Sequence, residues 1–151
     1  MTDDRRIPPA ALALGLAGLI PFLWSAATHL SMPLAGWAGG FLPPMFIGAY
    51  VGLTYGTVIL AFMSGALWGF AARAEAGALP YALSTIPALW VFVMVSDATT
   101  NSSIYLCAGF LGLFALDASF AAQGLAPRWW LRLRLPLTLV VVACLAIPVV
   151  T

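Results

Sequence analysis

Asp117 is the side chain of this sequence with the sharpest chemical consequence, because it is an acid placed inside an otherwise apolar, helix-length run, residues 102–122. A charged carboxylate costs about 2.5–3.5 kcal/mol at mid-membrane on insertion scales, and less near an interface. It must be paired, or it must hold a proton or a ligand. Arg132 and Arg134 follow in a hinge that folds back to the level of Asp117, so an ion pair from Asp117 to one of them is expected, joining two helices. Asp97 lies 20 residues before Asp117, roughly 30 Å along a helix, which sets the two carboxylates at opposite membrane faces and excludes a dyad. His29, the only histidine, stands at a helix end, where a capping or interfacial role fits. Cys107 and Cys144 lie in apolar runs with no CxxC or Cys/His spacing and read as small buried hydrophobes. No metal-ligand cluster, nucleophile–base pair or phosphate-cradling glycine loop occurs in the sequence. No catalytic residue, metal site or cofactor is therefore expected, and the chain reads as non-enzymatic.

The elements that carry these residues are set by composition. Hydrophobic residues make up 63% of the 151, charged residues 7%, and the mean hydropathy is +1.03. Soluble domains carry about 25% charged residues. The expected fold is all-α, a polytopic membrane helix bundle in one domain over residues 1–151, with the lipid bilayer as its first partner. A net charge of +1 offers no field for nucleic acid. Five spans are expected at about residues 9–28, 45–72, 79–96, 102–122 and 133–150, each near the ~20 residues that cross ~30 Å of hydrocarbon. Arg5-Arg6 followed by Ser25-Ala26-Ala27 also fits a secretory leader, but the apolar run is long for one.

Residues 127–136 hold three of the six arginines and two of the six tryptophans. Arg128, Trp129 and Trp130 are expected as interface anchors, with Pro136 in the first turn of the last span. Residues 29–44 are charge-free and broken by Gly and Pro, which suits an interfacial loop or short helix anchored by Trp37. All six arginines fall on one side of this topology, so the N-terminus is expected in the cytoplasm and the C-terminus in the periplasm.

The second span carries two small-residue ridges, Gly48, Gly52 and Gly56, then Gly65 and Gly69, which allow close helix approach on two faces. A homodimer seam is the alternative use of such ridges. Pro87 interrupts the third span and frees a carbonyl, and with Trp68 and Trp90 it could line an apolar cleft between spans two and three.

The chain resembles the transmembrane protein 69 family, a domain of unknown function found in bacterial inner membranes and mitochondria. Four stretches carry the resemblance: residues 14–22, 55–69 and 84–90, and the block Pro127-Arg128-Trp129-Trp130-Leu131-Arg132-Leu133-Arg134-Leu135-Pro136-Leu137-Thr138. Where the family often has Gly-Gly and then a polar residue, this chain has Ser64-Gly65 and then Leu67. The resemblance implies a five-span protein of the bacterial inner membrane, or of the mitochondrial inner membrane in a eukaryote, and supplies no reaction. The expected function is an accessory, scaffolding or assembly subunit that packs against other membrane protein subunits of a larger inner-membrane complex, or forms a homo-oligomer. The alternative is a binder or carrier of a small lipophilic molecule such as a quinone, pigment or lipid.

Overall fold

The computed structural model describes residues 6–95 and 100–151. Among them the regular structure is helical: α1 (Pro9–Ala17), α2 (Ile20–Leu30), α3 (Met32–Gly39), a 3-10 turn (Pro44–Phe46), α4 (Ala49–Arg73), α5 (Ala78–Met94), α6 (Thr100–Ala122) and α7 (Trp130–Val150). Asp97, Arg5 and the expected end of the third span at residue 96 lie outside the described residues.

Among the described residues four stretches are long and apolar enough to cross a membrane: Pro9–Leu30, Ala49–Arg73, Thr100–Ala122 and Trp130–Val150, of 22, 25, 23 and 21 residues. The expected third span is the shorter α5, whose 17 residues reach about 25 Å. The first crossing is not one straight helix. Pro21 has no N–H and its ring crowds the carbonyl four residues back, so the chain tightens at Gly18 and Leu19, where the Leu19 N–H reaches only Leu16 O at 3.0 Å. The last helix begins at Trp130, three residues earlier than expected, so Pro136 lies in its interior rather than its first turn. Gly124, at φ 71, ends α6, and the Leu125 N–H returns to Phe120 O at 2.9 Å, closing the helix end.

Helix α4 packs against α2, α5, α6 and α7, and α6 packs along α7. The core lies between them: Leu60 and Leu67 of α4 are fully buried against Leu106, Phe110 and Leu113 of α6, with Phe22 of α2 at one end and Phe120 at the other. The Phe22 ring meets Tyr55 and Phe110 edge-on at 5.2 and 6.0 Å.

Polar side chains of α2 hold the start of α4. Ser25 Oγ donates to Gly48 O at 2.9 Å and accepts from the Gly52 N–H at 3.1 Å, while Thr28 Oγ1 accepts from the Gly48 N–H at 2.9 Å. The Trp24 indole donates to Phe46 O at 2.8 Å. The first-turn N–H groups of a helix have no partner in the helix itself, so α2 serves here as a cap supplied by a neighbour.

Candidate functional site

Asp117 is fully buried, and both of its oxygens take a donor from α7. Trp130 Nε1 donates to Oδ1 at 2.6 Å, and Arg134 Nε donates to Oδ2 at 2.9 Å. Trp130 and Arg134 are one helical turn apart, so they face α6 together. Arg132 does not join them. Two residues of helix rotate the side chain by about 200°, and Arg132 is exposed on the far side, lining a cleft with Arg73 and Arg128.

Next to this pair a cavity of about 650 Å³ lies between α1, α2, α4 and α7. Its wall is almost entirely apolar, formed by Leu14, Phe22, Phe62, Gly69, Phe110 and their neighbours. Arg134 and Thr138 line it as well, and both are more than nine-tenths buried. Among the described residues, Arg134 Nη2 and Thr138 Oγ1 have no hydrogen-bond partner. A buried polar atom left without a partner costs about 1–3 kcal/mol. Both atoms are themselves shielded from the cavity, so the wall it presents is apolar apart from the exposed Arg73 at its rim.

The family described as "Protein of unknown function (DUF3429)" matches residues 7–150. The chain belongs to this family. It is 37% identical over 141 residues to transmembrane protein 69 of Xenopus tropicalis, covering 89% of this chain and 51% of that protein. Against transmembrane protein 69 of Mus musculus the identity is 32% over 139 residues, with 88% and 52% covered. The chain thus spans about half the length of these relatives. No solved structure matches it. Its apolar helices and these relatives make this family member a multi-pass integral membrane protein.

Other expected residues are distributed differently in this family member. Trp129 lines the cavity, edge-on to Trp130 at 5.8 Å, and Trp130 also meets Phe70 at 4.8 Å. Trp130 is therefore a clamp on Asp117 more than a headgroup anchor. Trp37 in α3 is 64% exposed and stacks edge-on with Phe41 at 4.7 Å.

The glycine ridges divide. A Cβ on Gly52 would meet Ser25 Oγ at 2.8 Å, and one on Gly56 would meet Leu106 and Phe22 at 3.3 and 3.4 Å, so these two do pack closely. Gly48 stands before the helix at φ 65, ψ −151, a conformation that suits glycine, and no atom crowds it. Gly65 and Gly69 also have open space around them, so the second ridge joins no helix among the described residues. The expected cleft is corrected too. Pro87 and Trp90 line a pocket of about 260 Å³ against Gly109 and Gly112 of α6, not against α4. Trp68 stays outside it, packed edge-on against Tyr81 at 4.8 Å.

Three features escaped the sequence reading. Gly109 is the tightest glycine of the bundle, where a Cβ would lie 2.6 Å from Leu60 Cδ2 and 3.0 Å from Trp90 Cδ1. The spacing to Gly112 is three, not four, and gave no ridge. Thr138 carried no signal because a threonine within a span ordinarily returns its hydroxyl to its own helix, whereas its Oγ1 has no partner among the described residues. Ser64 Oγ, which donates to Ser84 O across α4 and α5, looked like any isolated hydroxyl within a span.

Proposed function

We propose that this protein binds a small lipophilic molecule, a quinone, pigment or lipid, in the cavity between α1, α2, α4 and α7. One observation carries the reading: a cavity of about 650 Å³ whose lining is almost entirely apolar, with Arg73, Arg134 and Thr138 as the few polar or charged residues bordering it. Binding sites for small molecules have this composition, mostly apolar with a few placed polar groups, and volumes of about 300–1,000 Å³. Protein purified in mild detergent and exchanged thoroughly should release, on organic extraction, one small lipophile in near-equimolar amount. Release of bulk phospholipids alone, in membrane proportions, would contradict the reading.

The orientation proposed is cytoplasmic at the N-terminus and outside at the C-terminus, in a bacterial inner membrane or its mitochondrial counterpart. Arg73 at the end of α4 and Ala121 at the end of α6 border one cleft with Arg128 and Arg132, which supports a common basic face. Because α4 and α6 both end there, α5 has to return the chain to the opposite end. This supports α5 as a fifth crossing despite its length. Ser25 meets Gly52, Phe22 meets Gly56 and Gly18 lies by Tyr55, so the first crossing runs antiparallel to α4, which favours the start of α1 at the basic end, and His29 Nε2 lies 3.2 Å from Thr151 Oγ1 at the other.

A second reading, an accessory or assembly subunit beside other membrane proteins, is favoured by Gly65. It presents a small, uncrowded residue on an exposed part of α4, where another helix can approach closely. Migration with a large complex on native electrophoresis supports it, and migration as a small species counts against it.

A further inference from the structure

We infer that the occupant of this cavity is an anionic phospholipid, with an acyl chain along the apolar wall and its phosphate on Arg73, Arg128 and Arg132 at the basic end. The inference rests on the cavity being a binding site at all, and adds the chemical class and the orientation of its occupant.

Arg73 joins two hollows. It lines the apolar cavity together with Gly69, Phe70 and Trp129, and it also lines the cleft that Arg128 and Arg132 border. A molecule with its tail in the first therefore brings its head to the second. All three arginines are exposed there. Arg73 makes no ion pair with Glu75 or Asp117, the two acids among the described residues. Arg128 and Arg132 do have partners within the chain, but a guanidinium carries five N–H donors, which one partner does not exhaust. Three guanidiniums around one cleft call for an anion, and a phosphate takes paired N–H···O bonds from arginine. Arg134 adds nothing to this head, because it is buried and Asp117 matches its charge at 2.9 Å. Basic pockets at the cytoplasmic ends of membrane helices hold acidic lipid headgroups in this way.

The apolar wall favours a lipid over a soluble phosphate. On α4 the lining runs from Tyr55 to Arg73, about 27 Å at 1.5 Å per residue, whereas the hydrocarbon of one leaflet is about half of ~30 Å. An acyl chain whose head sits at Arg73 thus has protein beside it through the whole depth of its leaflet. Leu14 and Phe62 of that wall are 74% and 68% exposed, so the cavity opens sideways to the bilayer and a lipid enters without crossing water. Burial of the tail does not distinguish one phospholipid from another. The arginines do, since they attract an anionic head and repel the cation of a zwitterionic one.

The test offers the intact protein, freed of native lipid in mild detergent, equal amounts of phosphatidylglycerol and phosphatidylcholine with identical chains, and counts the retained lipid by native mass spectrometry. Wild type should retain one phosphatidylglycerol in preference to phosphatidylcholine. Arg73→Gln breaks no ion pair with a described acid, so its thermal midpoint should hold while its affinity for phosphatidylglycerol falls about 5-fold, the share of one arginine near a membrane surface, and that for phosphatidylcholine stays. Arg6→Gln removes an exposed arginine that lines neither hollow and should leave both affinities unchanged. Excess glycerol phosphate should not displace the lipid. Equal retention of the two lipids by wild type, or equal losses in Arg6→Gln and Arg73→Gln, would overturn the anionic head and leave the cavity a site for a neutral lipophile. Displacement by glycerol phosphate would overturn the lipid in favour of a soluble phosphate, and an unchanged preference in Gly69→Phe would overturn the tail in the cavity. Retention of neither lipid by protein that still yields one neutral lipophile on extraction would overturn this inference alone. Retention of neither by protein that yields none would overturn both readings.

Discussion

At the scale of single residues, the Asp117 pair is the feature that sequence disclosed best. A carboxylate in an apolar run has few ways to exist, and the arginines downstream supplied the partner. Which arginine was not legible, because it depends on where α7 starts. A helix beginning at Trp130 turns Trp130 and Arg134 toward α6 and Arg132 away. The role of Trp130 was hidden for the same reason, since an indole beside arginines at a span end reads equally as a headgroup anchor. Removing one partner of a buried pair leaves a charge uncompensated, so Asp117→Asn and Arg134→Leu should each lower stability by about 3–5 kcal/mol. The double variant should cost at least ~1 kcal/mol less than the sum of the singles, while Asp117→Asn with Arg132→Leu should be additive. Thermal unfolding in detergent measures both cycles, and additivity in the first would remove the pairing.

At the scale of helices, the positions of four spans and of the short helix α3 after the first followed from apolar runs and from Gly and Pro placement. What each helix touches did not. The four-residue glycine spacing in α4 is the same at Gly52 and Gly56 as at Gly65 and Gly69, yet only the first pair meets another helix of this chain. A spacing defines a face, but only the neighbour decides whether the face is used. Gly109→Ala should therefore destabilise by about 1–3 kcal/mol, since its Cβ collides with the buried Leu60, while Gly65→Ala should be neutral or gain up to ~1 kcal/mol of helix propensity. The cap that α2 provides for α4 was equally invisible, because Ser25 and Thr28 are 23 and 20 residues from Gly48 in sequence. Ser25→Ala leaves the Gly52 N–H and Gly48 O without this partner and should cost about 1–3 kcal/mol. A Gly109→Ala variant as stable as Gly65→Ala in the same unfolding assay would show that α4 and α6 do not meet as described.

At the scale of the whole molecule, the basic face and the bundle class were written in the composition, whereas the cavity was not. It arises where the bend at Pro21 sets α1 apart from α4 and where Gly69 leaves room, a joint property of the helices around it that no single stretch encodes. Reporter fusions after Gly77 and Gly124 should both register the cytoplasm, and a periplasmic signal from either would reverse or break the proposed five-crossing topology. The claim that the cavity is a binding site has a direct control within α4. Gly65 and Gly69 are one turn apart, both with open space around them, and only Gly69 lines the cavity. Native mass spectrometry of wild type, Gly65→Phe and Gly69→Phe, matched for thermal midpoint, is the most direct test. A discrete lipophile retained by the first two and lost from Gly69→Phe is the expected result. Equal retention by all three, or bare protein throughout, would contradict it.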